Sequence, residues 1–177
     1  MLKGEQVALR AIEKKDLEQL LIWRNQPEFR QYFREYRELN SENQLYWFEH
    51  VVMKDEHTRM FAIIDKSTEE LLGACGLCYI DWINCNADFS IYIGKDNCYI
   101  DDLYAVDAAK IMIKYAFHEL NLHRLWSEVY DFDKKKKKMF AVLGFVQEAV
   151  HKHTHWTNGN WCDSVYYRLI KGEENNT

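Results

Sequence analysis

The chain has 177 residues, of which 47% are hydrophobic and 29% charged, and its formal net charge is -5. That length suits one domain with a substantial core, and the acidic balance argues against a non-specific nucleic-acid binder because phosphate repels it. No apolar run approaches the roughly 18 residues of a membrane helix, and no basic segment followed by an apolar run opens the chain, so a cytoplasmic, non-membrane protein is expected.

Residues 7–12 read as a first strand. Lys15 and Asp16 then open an amphipathic helix carrying Leu17, Leu20, Leu21 and Trp23, which ends before Pro27 because the residue preceding a proline is pushed out of the helical region. Ser41 with Gln44 is a capping-box pattern, and the helix it begins carries Leu45, Trp47, Phe48, Val51 and Val52. Residues 59–64 and 71–80 are strands around a turn at 67–70, and residues 87–93 alternate as another. The strongest helix covers residues 104–120, where Val106, Ala109, Ile113, Ala116, Phe117 and Leu120 follow the 3.6-residue period. Residues 125–130 form a strand, and a helix over 133–143 is stopped by Gly144. Residues 145–155 and 161–170 are the last two strands, joined across Asn158-Gly159, a hairpin signal. This order predicts an α/β (α+β) domain over 1–171, followed by a polar tail over 172–177.

Two constellations suggest metal or redox chemistry and are set aside. Cys75 and Cys78 have the spacing of a thiol pair, but positions i and i+3 of a strand face opposite ways. His151, His153 and His155 alternate along one strand and present three imidazoles on one face, but no fourth ligand accompanies them, so no metal is expected. The five cysteines are an odd count, which suits free thiols in a reducing compartment.

Four stretches carry a family resemblance. They are Leu9-Arg10 with Asp16-Leu17 and Trp23-Arg24-Asn25; residues 73–76 with Tyr79-Ile80-Asp81-Trp82; Tyr115-Ala116-Phe117 with residues 120–125 and Glu128-Val129; and Leu143-Gly144-Phe145 with Glu148, Gly159 and Asp163. Together they resemble the GNAT N-acetyltransferases, in the branch of ribosomal-protein N-terminal and amino-sugar acetyltransferases. The resemblance implies a mixed, mostly antiparallel sheet of about seven strands flanked by helices. It implies transfer of an acetyl group from acetyl-CoA, as cosubstrate, to a primary amine. The acceptor is then an amino-sugar nucleotide, a peptide N-terminus or a small amine, and a homodimer is an allowed assembly. The alternative is a non-catalytic GNAT-fold binding or scaffold protein.

The resemblance also assigns positions. The family's diphosphate loop, rich in glycine and opened by a basic residue, aligns with Ile100, Leu103 and Ala105, and only Ala105 fits the pattern. Asp101 and Asp102 add negative charge there, while the amides of Leu103, Tyr104, Ala105 and Val106 retain the capacity to form a cradle. The strand around Ser90, Ile91, Tyr92 and Ile93 is expected to meet the pantetheine arm and the thioester oxygen. Asp88 stands where relatives carry a catalytic carboxylate. Phe140 replaces a tyrosine that protonates the leaving thiolate, with Tyr130 or Tyr104 as weaker candidates. Asp133 replaces an asparagine beside the donor. Five consecutive lysines span the whole circumference of a helix, so one must face inward, and Lys136 is that one, either snorkelling outward or reaching a phosphate. Trp23, Arg24, Asn25, Arg30, Phe33, Asp81 and Trp82 are expected to form the acceptor pocket, the arginines suiting a carboxylate or phosphate.

Overall fold

In the computed structural model, which describes residues 1–174, the chain forms one eight-stranded sheet. The strands are β1 (Leu2–Lys3), β2 (Val7–Ala11), β3 (Arg59–Asp65), β4 (Leu71–Asp81), β5 (Asn86–Ile93), β6 (Arg124–Tyr130), β7 (Val146–Thr157) and β8 (Asn160–Ile170). Their order is β1-β2-β3-β4-β5-β6-β8-β7. Every neighbouring pair is antiparallel except β5 and β6, which run parallel. The helices are α1 (Leu17–Asn25), α2 (Pro27–Arg30), α3 (Ser41–Trp47), α4 (Tyr104–Lys114) and α5 (Lys134–Leu143). No helix among the described residues is long and apolar enough to cross a membrane.

Helix α4 makes the parallel crossover from β5 to β6, as a parallel pair requires. It buries Ala105, Ala108, Ala109 and Met112, small or flexible side chains that let the helix lie close on the sheet. On its other face Asp107 accepts the backbone N–H groups of Glu5, Gln6 and Val7 at 3.2, 2.7 and 2.9 Å, which ties the β1–β2 turn to the helix. Phe89, Phe140 and Phe145 pack together between β5 and α5, with Phe140 stacked on Phe145 at 4.5 Å between ring centroids.

Local structure departs from the sequence reading where side-chain chemistry competes. The cap of α3 is Asn40, one residue before Ser41, and its box partner is Asn43 rather than Gln44; the two exchange side-chain and backbone bonds at 2.9 and 3.1 Å. As expected, α1 ends before Pro27, with Gln26 extended, but Pro27 then opens the short α2 at its first position, where the missing N–H is no loss. The helix after Lys114 continues as a wider π-type turn over Tyr115–Glu119. A register shift between His151 and His155, with His153 at φ 52°, breaks the imidazole ladder, and His155 stacks on Tyr130 instead. No group of three metal-ligating side chains occurs among the described residues. Cys75 is buried and Cys78 lies 3.9 Å from the Met60 sulfur, and burial pushes the Cys78 thiol up to about 12.

Trp23 also departs from its expected role. Rather than walling an acceptor pocket, it is 7% exposed, and its indole lies directly over Gly94 at the end of β5. A Cβ at Gly94 would stand 1.9 Å from Trp23 Cδ2. Gly94→Ala should therefore displace the indole and destabilise the protein by about 1–3 kcal/mol, read as a lower urea midpoint with an unchanged slope.

Candidate active site

Strands β5 and β6 share a ladder only from Asn86↔Arg124 to Asp88↔Trp126. Beyond Asp88 they part. One side chain crosses the start of the gap, where Ser127 Oγ donates to the Phe89 carbonyl at 2.9 Å. Further along, the Ile93 N–H donates to the Tyr99 carbonyl at 2.8 Å. The two-residue period of the strand puts the N–H and C=O of Ile91, between them, on this same edge and into the gap.

A cavity of about 250 Å³ fills the parting. Asp88, Ser90 and Ile91 come from β5, Ser127, Glu128 and Tyr130 from β6, Lys136 from α5, and Arg24, Phe33 and Arg34 from the other side. Arg34 lies on the strap that joins α2 to α3. Its Nη1 donates to Asp88 Oδ2 and its Nε to Glu128 Oε2, both at 2.8 Å. One guanidinium thus bridges a carboxylate on each of the two parted strands. Ser164 on β8 donates to the other oxygen of Glu128.

The charges in this cavity are poised against each other. Burial pushes the Asp88 carboxyl up, and Arg34 opposes that by charge and hydrogen bond. Burial works against the Arg34 charge, but Asp88 and Glu128 more than offset it and raise its pKa. Lys136 is 7% exposed, and its ammonium makes no hydrogen bond or ion pair among the described residues. Burial lowers its pKa, with Asp133 and Asp88 opposing. Asp133 is also buried and caps α5 through the Lys136 N–H at 3.0 Å.

A second cavity of about 340 Å³ lies under α3, and Arg24 and Glu35 line both. The Arg24 guanidinium sits 4.6 Å from the Phe33 ring centroid, and its buried Nε has no hydrogen-bond partner. Arg37 grips the Glu35 carboxylate at 2.6 and 2.9 Å and holds its pKa down at about 2. Tyr92 lines this second cavity, not the first.

Residues 6–146 match the family model of the acetyltransferase (GNAT) domain. The chain belongs to the GNAT acetyltransferase family. It is 25% identical over 171 residues to the uncharacterized N-acetyltransferase p20 of Bacillus licheniformis, covering 96% of this chain and 95% of that one. It is 27% identical over 166 residues to the spermidine N(1)-acetyltransferase of Escherichia coli (strain K12), covering 93% and 86%. The crystal structure of the spermidine N-acetyltransferase from Vibrio cholerae in complex with CoA and spermine matches with a TM-score of 0.85 at 25% identity, over 95% of this chain and 97% of that one. This GNAT chain is accordingly an acetyl-CoA-dependent N-acetyltransferase that moves an acetyl group onto a primary amine.

The fold gathers only part of the expected GNAT site. Asp88, Ser90, Ile91, Phe33, Arg24 and Lys136 meet at the first cavity. Lys136 turns inward, as the lysine run required, but it lies beside Asp88 and Ser90 rather than at the first turn of α4. Asn25 is taken up by the strap, its side chain bonding the Leu39 N–H and C=O at 2.9 and 2.8 Å. Arg30 is paired with Glu38. Asp81 caps its own turn through Ile83 and Asn84, and Trp82 donates to the Glu56 carbonyl; neither lines either of these two cavities. Phe140 is fully buried. Tyr104 lies outside both cavities, while Tyr130 lines the first and burial raises its hydroxyl to about 12. Arg34, Glu35 and Arg37 are the charged groups of these cavities that the sequence did not single out, and Glu128 entered only among the residues that carry the resemblance.

The bridge makes a signed prediction. If Asp88 accepts the amine's proton, kcat/KM rises with pH through its pKa, and that limb lies above the ordinary carboxylate value of 3.8. Arg34 holds the Asp88 pKa down. Arg34→Ala should therefore move the acid limb of the kcat/KM profile to higher pH, whereas an unmoved limb would separate Asp88 from the proton transfer.

Proposed function

We propose that the acceptor is a small cationic primary amine of the polyamine type, and that Asp88 and Glu128 receive its reacting ammonium end. The carrying observation is the Arg34 bridge. Two carboxylates at the mouth of the β5/β6 gap already hold one cation, and that cation is supplied by the chain's own strap. An acceptor ammonium offers the same charge and the same hydrogen-bond donors, and it takes the place of Arg34 as the strap shifts. Glu35, kept ionised by Arg37, lines both cavities and provides a second anionic point for a distal ammonium. The spermidine acetyltransferases among the relatives accord with this chemistry.

Starting from an ammonium, the reaction removes two protons from nitrogen and delivers one to sulfur. Asp88, its basicity raised by burial, takes the ammonium proton. The free amine attacks the thioester carbon; as the C–N bond forms and the C–S bond breaks, the nitrogen gives up its second proton to solvent water and the thiolate takes one from water. The thioester lies along β5, where the Ile91 N–H faces the gap and stabilises the carbonyl oxygen. Lys136, like Arg24, has no carboxylate within hydrogen-bond reach among the described residues, and it offsets the negative charge that grows on oxygen and sulfur. Phe33 and Arg24 wall the acceptor side.

An acceptor panel with detection of released thiol tests the reading. Spermidine and spermine should give the highest kcat/KM, above glucosamine, an amino-sugar nucleotide and a peptide N-terminus; a preference for the sugar or the peptide would overturn it. Asp88→Asn should lower kcat by about 10²–10⁴-fold. Lys136→Met should lower kcat by about tenfold or more while leaving the acceptor KM nearly unchanged, because the charge it answers exists only in the transition state. A rise in KM alone would place Lys136 on the acceptor instead.

A further inference from the structure

The first turn of α4 is closed by the chain itself. Asp101 Oδ2 accepts the N–H groups of Leu103 and Tyr104 at 3.0 and 2.7 Å, and Asp101 Oδ1 accepts that of Ala105 at 2.7 Å. These are the orphan donors that make the start of a long helix an anion site, reinforced by the helix dipole. The anion bound here is covalently attached two residues before the first of those donors. Its binding costs no translational entropy, and it takes three of the four amides expected to cradle a diphosphate, all but that of Val106.

The surroundings act in the same direction. Asp102 lies next to Asp101 with its side chain 85% exposed, and its partner Lys138 is itself 68% exposed. Ile100 is buried, so that position offers no cation. Lys136, the one buried lysine of the run, lies in the β5/β6 cavity with Asp88. A diphosphate approaching α4 meets filled donors and two carboxylates. The gap between β5 and β6 carries no such occupant along Ile91, and it suits the uncharged arm of a thioester.

We propose that Asp101 sets the acyl-donor specificity of this enzyme by occupying the anion site of α4, so that the enzyme recognises the acyl-pantetheine arm and gains no affinity from the diphosphate nucleotide. The inference rests on the acetyl-transfer reading above and deepens it. Its consequence is that a short S-acyl pantetheine thioester serves as donor about as well as acetyl-CoA.

The test compares acetyl-CoA with S-acetylpantetheine as donors, and CoA with pantetheine as ligands in calorimetric titrations. It uses the wild type, Asp101→Gly, Asp101→Asn and the neighbouring control Asp102→Asn. In the wild type the two donors should agree in kcat/KM, and the two ligands in Kd, within about threefold, a difference under 1 kcal/mol. Asp101→Gly should improve both quantities for the CoA forms by about tenfold or more and leave the pantetheine forms unchanged, because three charge-favouring donors are released. Asp102→Asn should change the ratio little, since an exposed paired charge is weakly coupled. Should Asp101→Gly fray α4 and lower the melting temperature too far for assay, Asp101→Asn keeps one capping oxygen, removes the negative charge and should shift the ratio in the same direction. A wild type that prefers the CoA forms by about a hundredfold, or a ratio untouched by both Asp101 variants, overturns the proposal. The titrations need no acceptor. Equal binding of CoA and pantetheine with no turnover on any amine would defeat the acetyl-transfer reading and leave the donor proposal supported.

Discussion

The parting of β5 from β6 after Asp88 is the constraint on which the rest of the site depends. Among the described residues the two strands are the only parallel neighbours in the sheet, and they pair over three residues before separating. Separation leaves edge groups without a ladder and opens the sheet to a ligand arm. It also places Asp88 and Glu128 on opposite lips of the opening. Two carboxylates in that position repel each other and resist burial, and the fold answers with one guanidinium whose planar fork reaches both. The Ser127 bond to Phe89 and the Phe89–Phe140–Phe145 cluster hold the base of the gap fixed, so that its width is set by packing as well as by charge.

A common logic links the proposed acceptor and donor ends. At the acceptor end a chain cation sits on the carboxylates, and at the donor end a chain carboxylate sits on the helix amides. Each internal ion satisfies groups that would otherwise be left buried or orphaned without a partner. Lys136 and Arg24 are the exceptions. Lys136 is a buried cation with no paired carboxylate among the described residues; burial lowers its pKa, and Asp133, Asp88 and Glu128 oppose that from a distance. An unpaired charge of that kind is a common mark of a group whose partner arrives with the substrate.

Much of the fold was legible in the sequence, because it follows from periodicity. The seven main strands, the α4 stripe and the inward turn of Lys136 all came from counting residues per turn or per pleat. The charged groups of the site were legible only in part. Arg34 is 54 residues from Asp88 and 94 from Glu128 in sequence, and only the topology brings them together; its strap has no period to read. Asp101 could have been found. An aspartate shortly before a strong helix is a favoured cap, and that local signal competes with reading the same residue only as a charge beside a phosphate loop. Trp23 was misread for the opposite reason, because nothing in the local sequence says that Gly94 clears a seat for it. The acceptor roles expected of Asn25 and Arg30 were displaced by bonds within the strap itself.

The strap between α2 and α3 is tied by rings, with Tyr32 stacked on Tyr99 and Phe33 edge-on to Tyr92, and by ions. Arg30 pairs with Glu38, Arg37 with Glu35, and Arg34 with Asp88 and Glu128, while Asn25 fixes its far end at Leu39. The first two pairs are largely open to solvent, and the third reaches into the buried cavity. Dissolved salt acts on these unequally, since the Debye length falls to about 8 Å near physiological ionic strength and buried pairs are screened far less. Rising ionic strength therefore loosens the outer ties before the inner bridge, while the apolar core beneath is left intact. On the proposed reading of the site, the salinity of the medium becomes a control on how readily the acceptor reaches Asp88, separate from any effect on folding.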